Sequence, residues 1–429
     1  MLALIIAATL QQQIDQAAAR LEPSVIATRR DIHEHPELGN REVRTAKIVA
    51  DKLRALNIDV TENVAHTGVI GILKGGKPGK VVALRADMDA LPVTEQVDLP
   101  FASKVRSTYN GQEVGVMHAC GHDAHVAILL GVAEVLAGVR NEIPGTVKFL
   151  FQPAEEGAPQ GEEGGAELMV KEGALDNPKV DAIFGLHVTS RFAVGEIGYR
   201  PEGMMAAVDS LEIVVRGKQT HGAYPWLGVD PIVVASQIIL GLQTIPSRQL
   251  DSTLAPSIVT VGAIHGGVRN NIIPDEVEMI GTIRSLDAKM REDIHARIRR
   301  TAESIASAGG ATANVTITTG YPITYNDPAL TERSVPTLRR VAGNANVKLV
   351  NAALGAEDFS FFQQKVPGVF FWVGTRPKDQ TPEQAPSNHS PLFYVDESGL
   401  LLGVRSLAGV AVDFLWSAEA APPLSNSHK

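Results

Sequence analysis

The chain is expected to fold as an α/β protein, with a mixed, mainly parallel sheet flanked by helices and interrupted by a smaller α+β domain carrying an antiparallel sheet. Apolar runs of buried-strand type at Val69 to Leu73, Val81 to Arg85, Thr146 to Phe151, Val180 to Leu186 and Val369 to Val373 are interspersed with helical stretches. That alternation belongs to a parallel sheet covered on both faces. Four of these runs are followed by acids or histidines: Asp87 and Asp89, Glu155 and Glu156, His187, and His389. In open α/β sheets, sites form along the carboxyl edge of the strands. Between Ala206 and Thr319 the order becomes strand, helix, two strands, helix, strand, which suits a small α+β unit. With 429 residues the chain exceeds the usual size of a single core. The simplest division has residues 1–205 and 320–429 as two pieces of a site-bearing domain, with 206–319 inserted between them.

Taken in order, Leu2 to Leu10 are apolar and run into Gln11-Gln12-Gln13. Residues 1–13 read either as a secretory-signal remnant or flexible N-terminus, or as the start of an amphipathic helix; no Lys or Arg precedes the run, so the cytoplasm is favoured over export. From Ile14 to His33 two helical pieces are expected on either side of Pro23. The hexapeptide His33 to Leu38 is read as a helix end and turn rather than a metal site, because Pro36 and Gly39 punctuate it. Helices are expected at 42–56 and from Asp123 to Leu136. In the inserted part, strands at Leu211 to Val215, Ser257 to Ile264, Val277 to Ile283 and Thr312 to Thr318 accompany helices at 229–243 and 287–308. Gly-rich Gln160 to Gly165 and the polar tail from Ala418 are the low-complexity stretches. No segment after the N-terminus approaches transmembrane length. The formal charge of -9 is spread along the chain without a Lys/Arg block, so neither nucleic acid nor a membrane is expected as partner; a small molecule is.

The chemistry concentrates in Met117 to His125, where three histidines, an aspartate and the only cysteine occupy nine positions. Cys120 and His122 lie two apart, and in an extended segment that spacing puts both on one face. By itself the cluster fits a metal site, a thiol nucleophile or a helix-capping loop. The acids and histidines at the strand ends favour metal. Cys120, His122, Glu156, His187 and His389 make five N, O and S donors, more than the four of a closed zinc site. They suit two adjacent divalent ions with Cys120 as bridge; zinc fits, and manganese, cobalt or nickel are not excluded. Of the pair Glu155-Glu156, Glu156 is assigned to metal and Glu155 to proton transfer. Asp87, Asp89 and Asp123 are read as carboxylates that orient histidine rings. His118 and His125 receive no role.

The motifs Ala86-Asp87-Met88-Asp89-Ala90-Leu91-Pro92, His118 to His125, Gln152 to Gly157, Gly185-Leu186-His187, His221 to Pro225, Asn271 to Pro274, Gly355 to Phe359 and Asn388 to Pro391 closely resemble metal-dependent amidohydrolases of the aminoacylase and carboxypeptidase group. The branch is that of hippurate hydrolase, bacterial N-acyl-amino-acid amidohydrolases and plant indole-acetyl-amino-acid hydrolases. The resemblance runs from about residue 24 to 415 in the family's order. It implies a two-metal catalytic domain, an inserted lid and dimerisation domain, and a homodimer. It also implies Cys120, His122, Glu156, His187 and His389 as ligands and Glu155 as acid/base. From the lid, His221 would stabilise the oxyanion while Asn271 and Arg284 hold a substrate carboxylate; Glu357 would orient a ligand. Distant relatives carry histidine at the position of Asp87 and aspartate at that of Cys120, so Asp87 is not counted as a ligand. The implied reaction is hydrolysis of the amide in N-acetyl, N-benzoyl or other aryl-acyl amino acids. A dipeptidase or carboxypeptidase with the same metals is the second reading, and a metal-dependent binding protein without catalysis the third.

Overall fold

A computed structural model describes residues 2–418 with Pro422 and Leu424, and side chains from Leu10 onward. The remainder of the polar tail read from Ala418 lies outside the described residues. The chain divides into two compact units, one comprising 2–202, 325–351 and 358–418, the other 203–324 and 352–357.

The first unit is built on an eight-stranded sheet in the order Asp59–Val64, Gly68–Lys74, Pro144–Gln152, Lys77–Asp87, Ala182–Ala193, Gly368–Arg376, Ile197–Tyr199, Val347–Leu349. The central four strands are parallel to one another, and Gly68–Lys74 and Ile197–Tyr199 pair antiparallel to the outer two of them. Val82, Leu84, Phe149, Phe151, Phe184 and Phe371 are fully buried, which is why these strands read as continuous apolar runs. Ala182–Ala193 continues past His187, where the sequence pattern predicts its end. Pairing with Gly368–Arg376, through Trp372 opposite His187, carries the ladder on.

The helices Leu2–Glu34, His122–Gly138 and Leu400–Trp416 pack on one another, and the latter two also on the sheet. One helix spans Leu2–Glu34 without a break at Pro23, against the two pieces expected. An interior proline costs about 3 kcal/mol. Leu10, Ile14, Val25 and Ile32 are buried along this helix, and each such side chain contributes roughly 1.5–3 kcal/mol, so packing outweighs the missing bond. The stretch Glu397–Trp416 is long and apolar enough to cross a membrane, which the sequence reading overlooked. It is a core helix, mostly buried.

The second unit has a four-stranded antiparallel sheet, Ser257–Gly266, Glu276–Ser285, Ala207–Arg216, Thr312–Thr319, packed against Pro231–Thr244 and Ala288–Ala308. Leu211, Ile213 and Val215 are buried while Ser210 and Glu212 are exposed, the period-two pattern of a half-covered sheet. In Ala288–Ala308 the buried residues Met290, Ile294, Ile298, Ala302 and Ala306 recur every four positions, and Asp287 caps the helix by accepting from the Met290 N–H.

Candidate metal centre

Three parallel strands of the first unit bring the chemistry to one edge. Lys77–Asp87 ends on Asp87, Pro144–Gln152 leads into Glu155 and Glu156, and Ala182–Ala193 carries His187. Cys120 and His122 arrive by a different geometry from the extended segment expected. Gly121 between them has φ +92°, and a Cβ there would meet Val188 Cγ2 at 2.4 Å, so only glycine makes the turn that starts the helix at His122. His389 also sits in the left-handed region, at φ +71°, with its N–H donating to the Ala119 carbonyl. Asn388 Nδ2 donates to the carbonyls of Cys120 and Val188, tying that loop to the site.

The five candidate donors fall into two groups that share one atom. Cys120, His122 and His187 have ligand atoms within 4.8 Å of one another, and so do Cys120, Glu156 and His389. The Cys120 Sγ lies 3.3 Å from His187 Nε2 and 3.2 Å from His389 Nε2, and the latter is 3.0 Å from Glu156 Oε1. Glu155 forms a further group with His122 and Glu156.

Hydrogen bonds set which lone pairs are available. His122 Nδ1 is 2.8 Å from the Asp89 carbonyl and His187 Nδ1 is 2.7 Å from the Val188 carbonyl. A carbonyl only accepts, so each Nδ1 carries a proton, and Nε2 is the nitrogen left for a cation, which at His122 would take the place of a second proton. The His122 Nε2 is buried without a hydrogen-bond partner. Burial works against charge on His122, yet Asp87 and Asp89 hold its pKa up to about 10. Burial, with Glu156, Glu155 and Asp87 nearby, pushes the Cys120 thiol well up. The site has an excess of negative charge and open donor atoms, and a divalent cation fits both conditions.

Around the donors sits a layer of positioning contacts. Asp89 accepts from His122 Nδ1 at 3.2 Å and from the Glu156 N–H at 2.9 Å. Asp87 does not hold a candidate ligand; it accepts from His125 Nδ1 at 2.5 Å and is pinned by Arg85 at 2.7 Å. His125 Nε2 accepts from the Val188 N–H at 2.8 Å, so His125 has no lone pair left for a metal. Asp123 orients a histidine ring outside the donor set. It bonds Arg29 at 2.6 Å and His33 at 2.9 Å, neither of which belongs to the donor set. His118 is buried with both ring nitrogens unpartnered, and burial drives its pKa down to about 3.

Sequence reasoning missed Glu42. Its carboxyl accepts from the Ala154 N–H at 2.9 Å and from Thr67 Oγ1. Ala154 has φ +50°, a strained setting for alanine, so Glu42 fixes the turn that presents Glu155 and Glu156. Asp358 also touches that turn, its N–H 3.4 Å from Glu155 Oε1. The Gly355 to Phe359 motif was quoted, but its link to Glu155 lies in a backbone N–H that no residue type signals.

The remaining candidates belong to the second unit. His221 and Asn271 are exposed neighbours on a short ribbon, Thr220–His221 with Ile272–Ile273, and the Gly222 N–H donates to the Asn271 carbonyl at 2.8 Å. Arg284 is half-buried on Glu276–Ser285, opposite Val208 and Ile258. Glu357 is buried, and its carbonyl accepts from Thr324 Oγ1.

Nitrogen, oxygen and sulfur donors at the carboxyl edge of a parallel sheet, beside a paired acid, are the equipment of a metal-dependent hydrolase. Comparison with known proteins agrees. Residues 83–413 match the model of peptidase family M20/M25/M40. The chain is 42% identical over 407 residues to thermostable carboxypeptidase 1 of Saccharolobus solfataricus, covering 94% of this chain and 99% of that one. It is 40% identical over 389 residues to N-acetylcysteine deacetylase of Bacillus subtilis, covering 90% and 96%. A solved dinuclear metal binding peptidase of the M20 family from Bacillus subtilis superposes with TM-score 0.77 at 37% identity, covering 92% of this chain and 99% of that one. The chain belongs to peptidase family M20/M25/M40 and is a hydrolase.

Proposed function

We propose that this hydrolase cleaves the amide bond of N-acyl amino acids, releasing a carboxylic acid and a free amino acid. The observation that carries the reading is the pair of donor triads sharing Cys120. Cys120, His122 and His187 would hold one divalent ion and Cys120, Glu156 and His389 a second, with Cys120 common to both sets. The bound metals supply Lewis acidity and lower the pKa of water. Glu155, buried beside Glu156, takes a proton from the attacking water and delivers it to the departing nitrogen. Asp89 holds His122 and Glu156 in register while this happens. By motif, His221 donates to the developing oxyanion, and Asn271 and Arg284 hold the substrate carboxylate. A homodimer is part of the same reading and is checked by sedimentation at several concentrations. Similarity to N-acetylcysteine deacetylase supports a blocked amino acid as substrate.

The experiment is a panel of N-acetyl, N-benzoyl and indole-acetyl amino acids offered to the purified protein with Zn, Mn, Co or Ni. Release of amino acid is expected from at least one class, and Glu155→Gln is expected to lower kcat by roughly 10²–10⁴-fold while mass spectrometry still finds the metal. No turnover anywhere on the panel sinks the proposal. Similarity to a carboxypeptidase keeps a second reading in view. A dipeptide hydrolysed faster than its N-acylated analogue would replace the first reading with that one.

A further inference from the structure

Beside Glu156 the first unit contains a cavity of about 290 Å³ to which the reaction described above assigns no part of the substrate. Leu38, Leu91 and Pro92 form one wall, and Ser107, Thr108 and Tyr109 on the ribbon Arg106–Tyr109 form the other. Isolated bridges between Leu38 and Ala90 and between Leu91 and Met117 fix the first wall, and a small apolar cluster of Leu38, Ala90, Val116 and Val105 backs it.

Its charged groups are already engaged. Arg41 is bonded to Glu162 at 2.5 and 3.1 Å, Asp89 to His122 and to the Glu156 N–H, and Glu156 belongs to a donor triad. The cavity therefore offers no free cation to the carboxylate of an amino acid and no free anion to the ammonium of an unblocked peptide. What it offers is apolar surface and room. An apolar cavity of about 150 Å³ accepts benzene, so this one takes an aromatic ring together with a short linker.

We propose that this cavity receives the acyl group of the substrate and is shaped for an aryl-acyl group. The inference rests on the N-acyl amino acid reading and names which end of that substrate lies against Leu38, Leu91 and the 107–109 ribbon.

The test measures kcat/KM on the N-benzoyl and N-acetyl derivatives of one amino acid, using the metal-loaded enzyme, Ser107→Trp and Thr108→Phe. Side chains at 107 and 108 project to opposite faces of the ribbon, so the pair tests the cavity from either side of it, away from the main core. The readout is the benzoyl-to-acetyl ratio, which does not depend on the fraction of protein folded. A fall of tenfold or more in at least one variant, carried mainly by KM, is expected. A ratio within twofold of the parent in both variants overturns the assignment while leaving N-acyl hydrolysis intact. A parent enzyme that turns over nothing across the N-acetyl, N-benzoyl and indole-acetyl panel removes the underlying reading, and the subsite with it.

Discussion

Arg29 and Arg85 are both 1% exposed, and each holds an aspartate that in turn meets a histidine. Arg29 bonds Asp123 at 2.6 Å, and Asp123 bonds His33, whose far nitrogen reaches Glu95 at 3.1 Å. Arg85 bonds Asp87 at 2.7 Å, and Asp87 bonds His125, which holds the Val188 N–H. The electrostatics match as well. Burial alone would raise both carboxyls, but Arg29 and His33 hold Asp123, and Arg85 and His122 hold Asp87, well below the usual carboxylate range. The difference is in where the chains of contact end. The Arg29 set joins the helix Leu2–Glu34 to the start of His122–Gly138 and, through Glu397, to the segment before Leu400–Trp416. The Arg85 set also bonds Gln152 and Asp358, and the Asp358 N–H faces Glu155. A buried charged network is therefore not by itself a mark of function; its end point is.

The comparison is broken most directly by removing each arginine. Arg85→Met and Arg29→Met should each destabilise the fold by about 3–5 kcal/mol, because an aspartate is left buried without its partner. Beyond that shared loss, Arg85→Met should lower kcat of the folded fraction by roughly 10–100-fold, an effect of the size seen when groups that orient metal-site residues are disturbed, here through Asp358 and Glu155. Arg29→Met should leave kcat nearly unchanged. Denaturant titration and active-site-normalised kinetics read the two effects separately, and equal kcat losses would erase the distinction.

A smaller effect sharpens the Arg29 side. Burial and Arg29 oppose charge on His33, but Asp123 and Glu95 raise its pKa above the ordinary histidine value. Its contribution to stability is fully present below that ordinary value, near 6.5, and is lost as pH rises through the raised folded value. Unfolding free energy measured from pH 6 upward should fall more steeply for the parent than for His33→Gln. Parallel curves would show that His33 does not titrate with folding.

The smallest expected effect concerns the Glu155-Glu156 turn. Burial and Asp89 push the Glu42 pKa up to about 8, above the ordinary carboxyl value, so stability attached to Glu42 is greatest at low pH and falls as pH rises towards 8. Glu42→Gln should flatten that slope and lower kcat only a fewfold, with KM unchanged. A loss as large as that of Arg85→Met would mean that the turn, rather than the Arg85 network, governs the geometry of Glu155.

Much of this was legible from residue types. Alternation in Ala207–Arg216 and the apolar runs of the central strands are local patterns, and burial follows them directly. The donors Cys120, His122, Glu156, His187 and His389 could be nominated because few other side chains bind metals and the sequence pattern gathers them near expected strand ends and an expected helix start. What stayed hidden depends on partners remote in sequence. Glu42 meets Ala154, and Asp123 meets Arg29 and His33, across separations that periodicity does not sense. Asp123 serves the ring of His33 rather than that of its neighbour His122, because successive residues at a helix start point in different directions. Pro23 misled because its local cost is overridden by packing along Leu2–Glu34.

The strand Gly368–Arg376 lies beside Ala182–Ala193, although the whole second unit is encoded between them. Synthesis on the ribosome therefore delivers the two triads at different times. Cys120, His122 and His187 have all emerged before the second unit begins, while the triad with Glu156 waits for His389. Long-range strand pairing is slow to form, and domains fold as units during synthesis. The sheet thus orders the assembly of the two donor triads: the group of Cys120, His122 and His187 can gather on the nascent chain, and the group with Glu156 is completed only when His389 arrives behind the last strand.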